Sequence, residues 1–121
     1  MKDQAFRMTM LYDFYGDLLT ERQREFYDLY HNEDLSLAEI AENYGITRQG
    51  VRDVIVRAEA ILNDFEEKTG IVARFLKVRS TLEEIGRLTE EAEHWNQVRL
   101  HDPKLSQLTR QIKEQLTGLE E

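Results

Sequence analysis

Apolar residues return every three or four positions along most of the chain, the spacing of one face of a helix. Phe6, Met10, Leu11 and Phe14, flanked by Tyr12 and Tyr15, predict a helix over 3–15. Gly16 is placed to stop it, since glycine enters the left-handed region without a Cβ clash. Thr20-x-x-Gln23 has the form of a capping box and opens a second helix over 21–30, with Phe26, Leu29 and Tyr30 on one side. The run from His31 to Asp34 is a polar turn. A second capping box, Ser36-x-x-Glu39, opens a short helix through Ala41 to Tyr44, which Gly45 ends. Thr47 then caps a longer helix with apolar positions Val51, Val54, Ile55, Ala58, Ile61, Leu62 and Phe65. Its β-branched residues would suit a strand, but the three-to-four spacing runs unbroken to Phe65, too far for one. Lys68-Thr69-Gly70 supplies the stop, a cation near the negative helix end with glycine beyond.

The remainder has a different character. Ile71, Val72, Phe75 and Leu76 form a short amphipathic group, followed by a stripe at Leu82, Ile85, Leu88, Ala92, Trp95 and Val98. Asp102-Pro103 predicts a helix start, with Asp as cap and Pro at the first helical position. Leu105, Leu108, Ile112, Leu116 and Leu119 follow, with Gly118 near the end. Neither stripe is wide enough to form a core alone, so this part predicts a helical hairpin or a pair of partner-seeking helices. Trp95 either packs against the last helix or anchors a dimer. The expected organisation is a helix-turn-helix domain over 1–70 and a helical extension over 71–121 that contacts a partner or forms a homodimer. The fold class is all-α.

Composition narrows the alternatives. Of 121 residues, only 6 are glycine and 1 is proline, about half the average share, whereas a sandwich or barrel needs a turn every ~8–12 residues. All-β folds are therefore disfavoured. The absence of cysteine removes disulfides, thiolate-bound zinc and thiol catalysis. The opening Met1-Lys2-Asp3-Gln4-Ala5 lacks the apolar run of a signal peptide, and no stretch reaches the ~20 apolar residues needed to span a bilayer. The expected address is the cytoplasm, with no membrane partner. The net charge of −8 argues against nucleic-acid binding by bulk charge. That excess is local, however: residues 20–46 alone carry −5. Arg48, Arg52 and Arg57 outnumber Asp53 within 47–58, and from Lys68 to Leu82 there are four cations and no acid.

The informative stretch runs from Leu37 to Arg57, LAEIAENYGITRQGVRDVIVR. A helix-turn-helix crosses two helices steeply over a very short turn, which gives each position a physical task. A small residue must stand at the crossing, and Ala41 is there; four residues on, Gly45 can reverse the chain. Ile40, Tyr44, Ile46, Val51 and Val54 supply the apolar groups beneath. An αα-corner within a plain bundle is the alternative. On the second helix, Thr47, Arg48, Gln49, Arg52, Asp53 and Arg57 point away from the buried stripe. They form either a solvated face or one that enters a major groove, with Arg or Gln on base edges and Thr47 on phosphate.

The run from Met10 through Gly70, including the LYDFY and LLTERQREF blocks, resembles the YlxM-type proteins. These are small bacterial cytoplasmic proteins similar in fold to the promoter-reading helix-turn-helix domain of sigma factors. The resemblance covers about residues 5–75 and fades from 82 onward. It implies a DNA-binding regulatory protein of the helix-turn-helix class, without a wing, linked to the signal recognition particle pathway. The helix over 36–41 would then position the domain and Thr47–Arg57 would read. Two positions depart from the family pattern: Gly50 stands where alanine is usual, and Val56 where a basic residue is common.

Three functions compete. The first is a DNA-binding regulator. The second is an RNA- or protein-binding adaptor of the signal recognition particle that does not read DNA. It rests on the acid-free Lys68–Leu82 stretch, where Phe75 is the one aromatic available for stacking, although Phe75 also falls in the apolar stripe expected to form core. The third is a protein-binding module docking a basic partner on acidic 20–46. An enzyme is not expected. Phosphate-loop, nucleophile-elbow and H-E-x-x-H motifs are absent, and paired acids such as Glu66-Glu67 are adjacent on a helix and diverge. His31, His94 and His101 are expected at the surface, without a metal or other cofactor.

Overall fold

The computed structural model describes residues 2–120 and contains no strand among them. Six helices follow in order: α1 (Lys2–Tyr15), α2 (Glu21–His31), α3 (Leu37–Tyr44), α4 (Arg48–Thr69), α5 (Ile71–Trp95) and α6 (Pro103–Glu120). A 3₁₀ turn, Gly16–Leu18, follows α1, and a π turn, Asn96–Leu100, follows α5. None of the described helices is long and apolar enough to cross a membrane. The chain divides into two compact units, the first ending at Ala73 and the second beginning at Arg74.

In the first unit α4 is the central rod, packed on α1, α2 and α3. Both capping boxes form. The Thr20 side chain accepts from Gln23 N–H at 3.2 Å while Gln23 Oε1 accepts from Thr20 N–H at 3.0 Å, and Ser36 and Glu39 make the same reciprocal pair. Each satisfies two donors that a helix start leaves without intrahelical partners. Thr47 caps α4 by accepting from Gly50 N–H at 3.0 Å. Beneath the α3–α4 crossing lie Phe26, Ile40, Ala41, Val51 and Ile55, with Leu29, Leu35, Tyr44, Ile46 and Val54 partly buried around them. The crossing residue and the apolar positions read from the sequence therefore share one core.

The N-terminal helix turns by about one residue from its expected orientation. Met8, Met10, Leu11 and Tyr15 are buried, while Phe6 and Phe14 are exposed. In α2, Tyr27 is buried alongside Phe26, and Tyr30 is exposed. The polar tip of Tyr27 explains why spacing alone missed it: its hydroxyl donates to the Met8 carbonyl at 2.6 Å, and its ring stacks on Tyr12 with centroids 5.2 Å apart. An aromatic with a satisfied hydroxyl can be buried as deeply as a phenylalanine. Gly16 ends α1 by opening the 3₁₀ turn, not in a left-handed conformation, which among glycines only Gly45 and Gly70 adopt.

The second unit is an antiparallel hairpin of α5 and α6. Residues 71–76 are the start of the same helix that carries Trp95, not a separate group, and α6 runs through Gly118 without stopping. The seam is polar and small. Asn96 is buried; its amide donates to Asp102 O at 2.8 Å and Ser106 Oγ at 2.7 Å, and its Oδ1 accepts from Asp102 N–H at 2.8 Å. Glu93 accepts from Ser106 Oγ at 3.0 Å and from the Thr109 hydroxyl. Further along, a Cβ on Gly86 would lie 3.7 Å from Leu116 Cδ1. Asp102 caps α6 through Lys104 N–H at 2.9 Å, as the Asp-Pro pair predicts. Part of each apolar stripe faces outward: Trp95 is 54% exposed and does not pack as a core residue against α6, whereas Leu82, Leu105 and Leu116 are partly buried.

Candidate nucleic-acid interface

The site is built by one turn. Tyr44 ends α3, and Gly45 follows at φ 66° and ψ 32°, in the left-handed region. Its N–H and that of Ile46 both return to the Ala41 carbonyl, the latter at 3.1 Å. The chain thus reverses within three residues, and Thr47 starts α4 at once. Val51, Ile55, Ala58 and Leu62 commit one face of α4 to the core. Periodicity then obliges the opposite face to solvent.

That face carries all the residues expected of it. Thr47, Arg48, Gln49, Arg52, Asp53 and Arg57 are each exposed. Their engagements differ. The Thr47 hydroxyl oxygen is occupied as the cap, which leaves only its proton to donate outward. The Gln49 amide donates to Asp53 Oδ1 at 2.9 Å, so this pair is tied together one turn apart. Among the described residues no acid is bonded to Arg48, Arg52 or Arg57. Cations elsewhere contrast with them: Arg24 pairs with Asp17 at 3.1 Å, Lys68 with Asp64 at 2.9 Å, Arg79 with Glu83 at 3.5 Å and Arg87 with Glu84 at 2.6 Å. Arg48 and Arg52 thus stand on the same flank of α4 and Arg57 about half a turn from Arg48. Arg7, bonded to Asn63, and Arg22, over the Phe26 ring, are the first unit's other cations without a carboxylate partner among the described residues.

Beside it opens a groove of about 1040 Å³, lined by Arg48, Gln49 and Arg52 from α4, Ser36 and Ala38 at the start of α3, and Tyr30 at the end of α2. His31 also lines the groove. It is the last residue of α2 and partly buried, not a surface residue of a polar turn: its ring lies 4.3 Å from that of Tyr27 and 5.1 Å from that of Tyr30. Burial lowers its pKa below the usual histidine value, against the upward pull of Glu59, whose carboxylate stands 3.6 Å from Nε2. At that length the two make no hydrogen bond.

Two short-linked helices that share one core, a left-handed glycine between them and exposed arginines on the second define a helix-turn-helix protein. The comparisons agree. The sequence model of one family, described as "Putative helix-turn-helix protein, YlxM / p13 like", matches residues 2–101. The UPF0122 protein of Desulforamulus reducens is 49% identical over 84 residues, 69% of this chain and 72% of that protein. That of Thermoanaerobacter sp. (strain X514) is 40% identical over 119 residues, 98% of both chains. That of Halalkalibacterium halodurans is 46% identical over 85 residues, 70% of this chain and 78% of its own. The chain belongs to the UPF0122 family.

Two residues that shape the molecule went unread in the sequence. Glu66, read in the sequence only as one of two adjacent, diverging acids on a helix, is buried and accepts from the Tyr15 hydroxyl at 2.7 Å and from the N–H groups of Val72 and Ala73 at 2.9 Å each. It caps α5. Burial alone would raise its pKa, but these donors outweigh it and hold the carboxyl below its ordinary value. Its signal was the Gly70 stop immediately before a new helix, whose first N–H groups some nearby acceptor must meet. Asn96 is the second, its pairing with the Asp102 peptide being invisible to any apolar count. Phe75, expected in the core, is 41% exposed.

Proposed function

We propose that this protein is a DNA-binding regulator in which α3 positions the domain and α4 reads the major groove. One observation carries the reading: Arg48, Arg52 and Arg57 all stand exposed on the second helix of the motif, with no acid bonded to them among the described residues. An arginine already bonded to a carboxylate must give that up before meeting a phosphate or a guanine, and these three need not. Arg48, Arg52 and Arg57 are the candidates for phosphate contact, and Arg52, a turn into the helix, also for a base edge. Asp53 suits a cytosine amino group and repels phosphate, so it favours sequence reading over bulk attraction. With few phosphate contacts, binding is modest and salt-sensitive. The family resemblance of the sequence implies a fold similar to the sigma-factor promoter reader, and that implication favours a regulatory role.

One observation favours a second reading, an adaptor for RNA or protein of the signal recognition particle that does not read DNA. Arg74 and Lys77 are exposed on the acid-free stretch of α5, cations that an RNA backbone can meet, and Phe75 between them in sequence is 41% exposed. Titrating a short duplex and a single-stranded RNA against wild type, Arg52→Ala and Phe75→Ala separates the two. The DNA reading expects the duplex to bind tighter and Arg52→Ala to weaken it by about 1–3 kcal/mol. Preferred RNA binding, lost in Phe75→Ala and untouched in Arg52→Ala, would replace it.

A further inference from the structure

The C-terminal hairpin keeps Leu82, Leu105 and Leu116 partly buried and turns most of its other large apolar residues away from its own seam. Seam positions on α5 are Gly86, Glu93 and Asn96; on α6 they are Ser106, Thr109 and Leu116. Outside it stand Ile85, Leu88 and Trp95 on α5, and Leu108, Ile112 and Leu119 on α6, between 39% and 66% exposed. At ~100° per residue, each outward stripe lies about a quarter turn from its seam in the same rotational sense. The helices run antiparallel, because Asn96 meets Ser106 while Gly86 meets Leu116. A two-fold relating the two helices therefore carries one stripe onto the other on the same side. The result is one apolar face two helices wide.

We propose that this face joins two copies of the chain into a four-helix bundle. From their exposures the six side chains offer on the order of 600 Å², the upper end of what a monomer leaves open and most of the ~800 Å² that one partner gives a standard interface. The spacing of the stripe on α5, with Ala92 between Leu88 and Trp95, is that of a seam meeting other helices. Its occupant must itself present apolar helices of matching length, and a second hairpin does so by symmetry. Charge permits the pairing: residues 74–121 carry only −1 of the chain's −8, so two such units meet without the repulsion that the 20–46 segment would bring. Trp95 is the aromatic anchor.

The test is sedimentation of the full chain over a concentration series, beside the double variant Leu88→Glu, Ile112→Glu. Wild type is expected at twice 14.4 kDa. The variant is expected near 14.4 kDa with unchanged helical circular dichroism, since both positions are exposed, and with dissociation at least about tenfold easier. Should the double change reduce helicity, Leu88→Gln alone carries the comparison. A wild type that stays monomeric at every concentration, including one that captures a different protein through this face, overturns the proposal. So does a variant as dimeric as wild type.

Discussion

Gly45 holds φ at 66°, and a Cβ placed on it would meet nothing within 4 Å, so the cost of a side chain there is conformational and not steric. Gly45→Ala is expected to lower stability by roughly 1–2 kcal/mol, the left-handed penalty of an L-residue, read from urea denaturation; an unchanged midpoint would show that the turn has another solution. Gly50 is the reverse case. In the first turn of α4 alanine would gain helix propensity, but its Cβ would stand 3.2 Å from Thr47 Oγ1, the capping atom. Glu66 gives a pH signature. Its carboxyl sits below its ordinary pKa of 4.5 in the fold, so its stabilising contribution is fully present above that value and is lost as pH falls through the lowered one. Glu66→Gln leaves the N–H groups of Val72 and Ala73 short of an acceptor. It is expected to cost about 1–3 kcal/mol at neutral pH and to flatten the acid limb of a stability–pH curve. A limb as steep as in wild type would assign the acid sensitivity to other groups.

At the scale of elements, α2, α3 and α4 were legible because a cap announces each start, and a left-handed glycine ends both α3 and α4. Thr20, Ser36 and Thr47 cap as read, and Gly45 and Gly70 stop as read. The outward direction of Arg48, Arg52 and Arg57 was equally legible, since Val51, Ile55 and Ala58 leave α4 only one way to face. Orientation of α1 was not, because counting apolar residues favoured Phe6 and Phe14 over Met8 and Tyr15, whose burial depends on the Tyr15 hydroxyl reaching Glu66 and Thr69. The hairpin was legible as a hairpin but not inside-out. Spacing arguments assume that the apolar stripe is the buried one, whereas this seam is closed by Asn96, Glu93 and Thr109, residues an apolar pattern counts as surface. Asn96→Ala removes three hydrogen bonds at the turn and is expected to speed amide exchange across 96–109 while leaving α3 and α4 protected; uniform loosening of both units would contradict a local role.

Over the whole molecule the charge of −8 and a basic reading face coexist because they occupy different segments. Acidic 20–46 sets the bulk repulsion, and the three arginines of α4 set the local attraction. The first acts over about a Debye length and is screened by salt, while the second requires contact. Binding should therefore be limited at low salt by few phosphate contacts and abolished early as salt rises. The measurement that bears most directly on this is the salt dependence of duplex binding, by fluorescence anisotropy, for wild type and for a variant with Arg48, Arg52 and Arg57 all changed to alanine. If the three contact phosphate, affinity falls roughly 40-fold between about 50 and 200 mM salt, and the triple variant loses both the affinity and the slope. No duplex binding by wild type at about 50 mM salt, or a triple variant that binds as wild type does, would contradict the assignment of this face.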